Sequence, residues 1–267
     1  MSRRFPPHPE RRPAVVAGAS SGIGAATAVA LGAAGFPVAV GARRLDRCEK
    51  VAAQIREAGG EAVAHTLDVT SEVSVTEFAR AVTDELGDVD VVIANAGTIV
   101  PAPILRADTA AIAAEIDVSI LGAHRLLRAF VPGMVERAHG DFVVVSSDVV
   151  PNPRPGVAGY VSGKWGLEGL ATVARMELEG TGVRVCMVRP GPTFTEIASE
   201  WDPEQVIAVV ESWKAFGLAR HTGFLLDVHM AQAILNVVSM PKGSYLSVVE
   251  VQPEAPVERS EKSGKPS

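Results

Sequence analysis

The sequence predicts an α/β fold built on a doubly wound parallel sheet (the Rossmann-type arrangement), in a single domain, on three observations. Strand and helix signals alternate along most of the chain, the pattern that places helices on both faces of a parallel sheet. The strand segments are short and apolar at consecutive positions, as strands covered on both faces must be. The first strand runs into a glycine-rich turn, Gly18-Ala-Ser-Ser-Gly22-Ile-Gly24, that opens a helix.

Each element follows from local composition. Ala14–Ala17 is a short apolar strand, and Ile23–Ala34 an alanine-rich helix stopped by Gly35. Val38–Val40 is a strand, and Leu45–Ala58 a helix ended by Gly59-Gly60. Ala62–Leu67 is a strand, Val73–Leu86 a helix and Val89–Ala94 a strand. A long helical zone covers Thr109–Arg137, with a break expected near Asp117. Phe142–Val145, Ala158–Glu179 and Val183–Val188 read as strand, helix and strand. Leu226–Val238 is a helix and Tyr245–Val251 the last strand. Residues 191–225 lack clear periodicity and carry Trp201, Trp213, Phe216 and Phe224. A loop zone that long is usually functional, and its aromatics suit either a lid over an apolar substrate or core packing.

Bulk properties remove several classes. A chain of 267 residues with 47% hydrophobic side chains fits one large domain, placed at 13–252, with disordered ends expected at 1–12 and 253–267. The net charge of −6 offers no basic field for nucleic acid. Residues 14–42 carry no charge, but six glycines and Pro37 interrupt them, which argues against a membrane span. The N-terminal arginines precede no apolar core, so a secretory signal is not expected. Cys48 and Cys186 read as unrelated thiols suited to a reducing cytosol, and the chain is expected to be cytoplasmic. The six histidines show no ligand spacing, so no metal is expected.

Tyr160 and Lys164 carry the strongest chemical signal. Four residues apart on a helix, they share a face. An ammonium beside a phenol favours the phenolate, so a lowered tyrosine pKa is expected. Ser147, at the end of the preceding strand, has a hydroxyl that can hold a carbonyl oxygen beside that phenol. Together these move one proton on or off an alcohol oxygen. Alone, the pair also fits an ordinary solvated helix face.

The N-terminal half adds a cofactor. Gly18, Ser20, Ser21, Gly22, Ile23 and Gly24 form a turn whose backbone approaches a pyrophosphate at a helix N-terminus. The second strand ends in Ala42, Arg43 and Arg44, where an enzyme using NAD carries a carboxylate. Guanidinium suits a 2′-phosphate, so NADP is expected over NAD; the alternative is a solvated turn. Asp68, followed by Val69, ends the third strand and either binds adenine or caps the next helix. Asn95, Ala96 and Gly97 end the fourth strand, at the sheet edge where ligands bind.

In this order and spacing, the motifs resemble the short-chain dehydrogenase/reductase family in its single-domain form, across roughly 13–252. The resemblance rests on the Gly18–Gly24 turn, Asp68-Val69, Asn95-Ala96-Gly97, Ser147, Tyr160/Lys164 and Pro190-Gly191-Pro192. It implies an NADP(H)-dependent oxidoreductase interconverting a secondary alcohol and a carbonyl. It implies Tyr160 as general acid/base, Ser147 as its partner on the substrate oxygen, and Lys164 as both tuner and nicotinamide-ribose ligand. It further implies Pro190, Gly191, Thr193 and Thr195 at the nicotinamide, and homo-oligomerisation through the helices at 109–137 and 158–179. A nucleotide-binding regulator and an isomerase or dehydratase are the other classes such a scaffold allows. Two features depart from the family. Ser119, in Ser119-Ile-Leu-Gly122, stands where relatives carry an asparagine thought to hold a water beside the lysine; it is either a weaker relay position or a plain core serine. The chain also closes on Gln252-Pro253 rather than a glycine-rich segment.

Overall fold

A computed structural model describes residues 5, 7–196, 201, 203–218, 221 and 223–256. Seven strands form one parallel sheet in the order β3-β2-β1-β4-β5-β6-β7. They are β1 (Ala14–Ala17), β2 (Val38–Ala42), β3 (Ala62–Thr66), β4 (Val91–Ala94), β5 (Gly140–Val145), β6 (Val183–Pro190) and β7 (Val248–Val251). The helices are α1 (Gly22–Ala33), α2 (Leu45–Glu57), α3 (Glu72–Leu86), α4 (Thr109–Ile116), α5 (Gly122–Glu136), α6 (Ala158–Glu177), α7 (Pro203–Ala215) and α8 (Asp227–Ser239).

Strand alternation divides the core in two. Val15, Ala17, Val92, Ala94, Phe142 and Val144 face one way and pack with residues of α3, α5 and α6. Ala14, Val16, Val91, Ile93, Val143 and Val145 face the other way and pack with α1, α2 and α8. A strand with both faces covered must be apolar at every position. The chain turns outward in both directions from β1 and β4, so a crevice opens at their carboxyl ends.

Several expectations are corrected. The zone 191–225 contains α7; its weak periodicity hid a helix that packs on a loop rather than on the sheet. The break near Asp117 is a π-helical turn over Asp117–Leu121 that joins α4 to α5 without ending either. The last strand is shorter than expected, and β6 continues to Pro190. Residues 7–12, expected to be part of a disordered end, are instead held: Arg12 is buried and donates to Asp90, Asp141 and the carbonyl of Val238. That segment is polar, so it looked unstructured, but its arginine meets buried carboxylates. The rest of both expected disordered ends, 1–4, 6 and 257–267, lies outside the described residues.

Cys48 and Cys186 are free and buried. Burial pushes their thiols up to about 11 and about 12 respectively, which leaves them inert near neutral pH. Among the described residues no helix is long and apolar enough to cross a membrane.

Candidate active site

The glycine turn after β1 is shaped by close approach. Gly18 has φ +73°, and a Cβ there would lie 2.8 Å from Ala96 Cα. A Cβ on Gly24 would lie 2.3 Å from the Gly18 carbonyl oxygen and 2.6 Å from Asn95 Nδ2. Asn95 in turn donates Nδ2–H to Gly18 O at 3.1 Å. The asparagine after β4 therefore braces the turn after β1, and no side chain but hydrogen fits between them. Ser21 is the N-cap residue of α1, yet its side chain makes no capping bond, so the first N–H groups of α1 keep their capacity for an anion.

The cations sit beside this turn. Arg44 donates to Ser20 Oγ at 2.9 Å and to Ser21 Oγ at 3.1 Å. Arg43 is exposed and makes no hydrogen bond or ion pair among the described residues. Arg47, on the first turn of α2, pairs with Glu196 at 2.6 Å, and Arg44 lies 3.7 Å from the same carboxylate. The sequence reading stopped at Arg44; Arg47 sits one helical turn from Arg43 and Arg44, and that spacing could have found it.

Asp68 Oδ1 accepts from Thr70 N at 2.9 Å and Thr70 Oγ1 at 2.7 Å. Those bonds, more than the nearby Arg43 charge, hold its pKa below the usual carboxylate value. The capping alternative is corrected: Ser71, not Asp68, caps α3 by accepting from Ser74 N at 3.2 Å. Ile23 packs partly buried against the core, so its contribution to the turn is backbone. Thr195 lies over the turn, 3.3 Å from where a Gly22 Cβ would be. Thr193 Oγ1 donates to Gly191 O at 2.8 Å, which tightens the bend after β6 and Pro190.

Ser147 follows β5, and Tyr160 and Lys164 rise from the first two turns of α6. Ser147 is buried, and its hydroxyl pulls the Tyr160 pKa down. Lys164 is 3% exposed and donates Nζ–H to Val145 O at 2.7 Å. Its Nζ is 5.6 Å from the Tyr160 ring centroid and 3.7 Å from where a Gly97 Cβ would stand. The expected direction of tyrosine tuning is corrected. Burial raises the Tyr160 pKa above its ordinary 10, and the pull of Ser147 only partly opposes this. Burial also lowers Lys164 itself to about 8, against an opposing pull from Glu168.

Three charged residues that the sequence reading missed surround this set. Glu168 lies one turn beyond Lys164, so Tyr160, Lys164 and Glu168 form a single stripe on α6. It accepts from Ser146 Oγ at 2.6 Å and from Arg189 Nε and Nη2 at 2.7 and 2.6 Å. The same four-residue spacing that singled out Lys164 would have found it. Asp148 directly follows Ser147 and is ion-paired to Arg154 at 2.5 Å. Glu115 is buried on α4 and accepts from Val100 N at 2.9 Å. Burial raises its pKa. Nothing local marked Glu115; it reaches the site only because α4 packs on α6 with Gly159 against its carboxylate.

Ser119 lies on the π-helical turn, 2% exposed, beside Gly163, the residue before Lys164 on α6. Its Oγ has no hydrogen-bond partner among the described residues. It lines a small cavity with Val69, Ala94, Ala96, Val118 and Gly122. A buried hydroxyl without a partner is unfavourable by about 1–3 kcal/mol, and π-turns recur at functional sites.

Comparison with known proteins agrees with this geometry. A family model described as short chain dehydrogenase matches residues 12–206. Glycine betaine reductase ATRR of Emericella nidulans is 33% identical over 240 residues, 90% of this chain. The chain spans only 18% of that protein's length. Among solved structures, an alcohol dehydrogenase from the archaeon Thermococcus sibiricus, complexed with 5-hydroxy-NADP, superposes with a TM-score of 0.79 at 32% identity. That match covers 94% of this chain and 100% of the other. A metagenomic short-chain oxidoreductase in complex with NADP gives 0.75 at 32% identity, over 91% and 97% of the two chains. Since the match runs unbroken from the strand before the glycine turn, through both halves of the crevice and into α7, the chain belongs to the short-chain dehydrogenase family.

Proposed function

We propose that this protein is an NADP(H)-dependent oxidoreductase that interconverts a secondary alcohol and its carbonyl. The observation that carries this reading is Tyr160 one helical turn from a buried Lys164, whose Nζ lies 5.6 Å from the phenol ring centroid and donates to Val145 O beside Ser147. The solved relatives hold NADP or a derivative of it. The residues here fit the same group: the turn from Gly18 to Gly24 has room only for hydrogen at its closest points, and Arg43 is free beside it.

Gly18–Gly24 and the α1 N-terminus would hold the pyrophosphate, and Arg43 and Arg44 the 2′-phosphate. Asp68 and Val69 would meet the adenine, and Asn95–Gly97, Lys164 and Pro190–Thr195 the nicotinamide side. Bound there, the nicotinamide supplies or accepts the hydride. Ser147 Oγ orients the substrate oxygen. Tyr160 donates its proton to that oxygen in reduction and removes it in oxidation. Its raised pKa keeps the resting phenol protonated, the form that donates. Lys164 holds the ribose and places a charge behind the phenol. Ser119 marks a water position behind Lys164.

Exposed Ile104, Leu105 and Phe194 lie in the loops after β4 and β6, and exposed Phe216 directly follows α7; they favour an apolar substrate. Exposed Trp165, Val173 and Met176 on α6 support self-association through that helix. Two buried free thiols suit the cytoplasm.

The test is a panel of ketones, aldehydes and secondary alcohols, read by nicotinamide absorbance with NADPH and NADH in parallel. Stoichiometric oxidation of NADPH by an apolar carbonyl, faster than with NADH, is expected. Substrate conversion with no net change in nicotinamide absorbance would instead make the protein an isomerase or dehydratase.

A further inference from the structure

The segment joining Ser147 to Tyr160 carries a chain of contacts that leads out of the site. Asp148 is buried, and its N–H donates to Pro190 O at 2.9 Å. One carboxylate oxygen accepts from Ser147 Oγ at 3.4 Å, the other from Arg154 Nη2 at 2.5 Å. The Arg154 side chain is only 11% exposed because its guanidinium lies over the Trp213 ring, 5.2 Å from the centroid. Trp213 belongs to α7, and it donates Nε1–H to Pro155 O at 2.9 Å. Val209, one turn earlier on α7, lies 3.3 Å from where a Gly156 Cβ would stand. The helix of the 191–225 zone thus rests on the loop that separates the serine from the tyrosine.

We propose that Asp148, Arg154 and Trp213 are positioning residues that fasten α7 to Ser147, so that seating α7 and aligning the substrate-oxygen donor are one event. The proposal rests on the reading of Ser147 and Tyr160 as the reacting pair. Two physical effects support it. A guanidinium over an indole binds more strongly when water is excluded, and a buried ion pair holds only while both partners remain in place. Trp213 supplies the exclusion, so displacing it loosens Arg154 and then Asp148. The chain also bears on charge at the phenol. Asp148 and Glu115 push the Tyr160 pKa up and Arg154 pulls it down; Lys164, on the same helix, has its Nζ 5.6 Å from the ring centroid. Arg154 therefore offsets the carboxylate that touches Ser147. Sequence reading left Trp213 as lid or core; in the structure it is a fastener between the two.

The experiment uses the full chain in two arms. In the first, hydrogen exchange over 203–218 is followed by mass spectrometry with NADPH present. Trp213→Leu and Arg154→Met should speed it by roughly tenfold, and Arg154→Lys, which keeps both the ion pair and the ring contact, should restore it. In the second, kcat/KM for alcohol oxidation is followed against pH. Arg154→Met should move the apparent pKa up by about half to one unit, and Asp148→Asn/Arg154→Met should bring it back. NADPH affinity should not change in any of these. If Arg154→Met does not fold, Trp213→Leu decides the first arm, and Asp148→Asn, which should move the profile down, decides the second. Unchanged exchange, or a pH profile that stays put, overturns the proposal. The exchange arm needs no substrate, so a wild type without turnover would reject the assigned reaction while the fastening of α7 is still decided.

Discussion

The two edges of the same sheet treat buried charge in opposite ways. At the amino edge, Arg12 bridges Asp90 and Asp141, and Arg184 donates to both oxygens of Asp141 at 2.5 and 2.7 Å. His139 also meets Asp90, and the remaining guanidinium N–H of Arg184 reaches carbonyls of Met240 and Ser244. At the carboxyl edge Lys164 is as deeply buried as Arg12 but meets a single carbonyl. Ser119 meets nothing among the described residues, and Tyr160 is shifted away from easy ionisation. One edge is satisfied within the fold and holds the N-terminal segment to β1. The other keeps unmet groups that a bound molecule can satisfy. Removing Arg12 and removing Lys164 should therefore have opposite effects on stability.

The largest effect tests the chemistry. Tyr160→Phe keeps the ring and loses the proton, so kcat should fall by roughly 10²–10⁴-fold while the melting temperature and NADPH binding hold. A variant that keeps more than a tenth of the rate would remove Tyr160 from its role.

At the amino edge, Arg12→Met removes the bridge between Asp90 and Asp141, leaving His139 on the first and Arg184 on the second, and should destabilise the fold by at most about 3–5 kcal/mol. Urea unfolding measures it, with activity per folded molecule unchanged. A loss below about 1 kcal/mol would show the network to be ornamental.

Lys164→Met should do the reverse. Burial lowers the folded-state pKa of Lys164 from 10.5 to about 8, so the native protein binds fewer protons than the unfolded chain between those values. Stability of the cofactor-free wild type then rises as pH goes from about 8 to 10.5. The variant lacks that slope and should be more stable at pH 7, by at most about 3 kcal/mol. It should also be nearly inactive. A variant less stable than wild type at pH 7 would mean the Val145 hydrogen bond outweighs desolvation.

Smaller effects sharpen the picture. Arg43→Ala should weaken NADPH binding roughly tenfold and leave NADH alone, since a charged hydrogen bond at an exposed site is partly screened. Equal affinity of the wild type for the two cofactors would sink this. Ser119→Ala removes at most one hydrogen bond, so a change in kcat of roughly fivefold or less is expected. Ser119→Asn should match or exceed wild type; no response across pH to either change would leave Ser119 a core residue.

The architecture was legible because it is written in local chemistry. Strands apolar at every position, helices stopped by Gly35 and Gly59, and a glycine turn after β1 each depend on neighbours in the chain. The Tyr160–Lys164 pair belongs here too, since helical spacing alone puts both on one face. Tertiary packing decided the rest. The polar segment ending in Arg12 is ordered because Asp90 and Asp141 come from strands far along the chain. Glu115 reaches the site because α4 packs on α6, and Trp213 finds Arg154 because α7 lies on a loop. The tyrosine tuning reversed for the same reason. Residue type and spacing say which charges stand near a phenol, but its pKa is raised first by the water the fold removes and then by carboxylates such as Asp148 and Glu115 that packing brings up, and both are properties of the packed molecule.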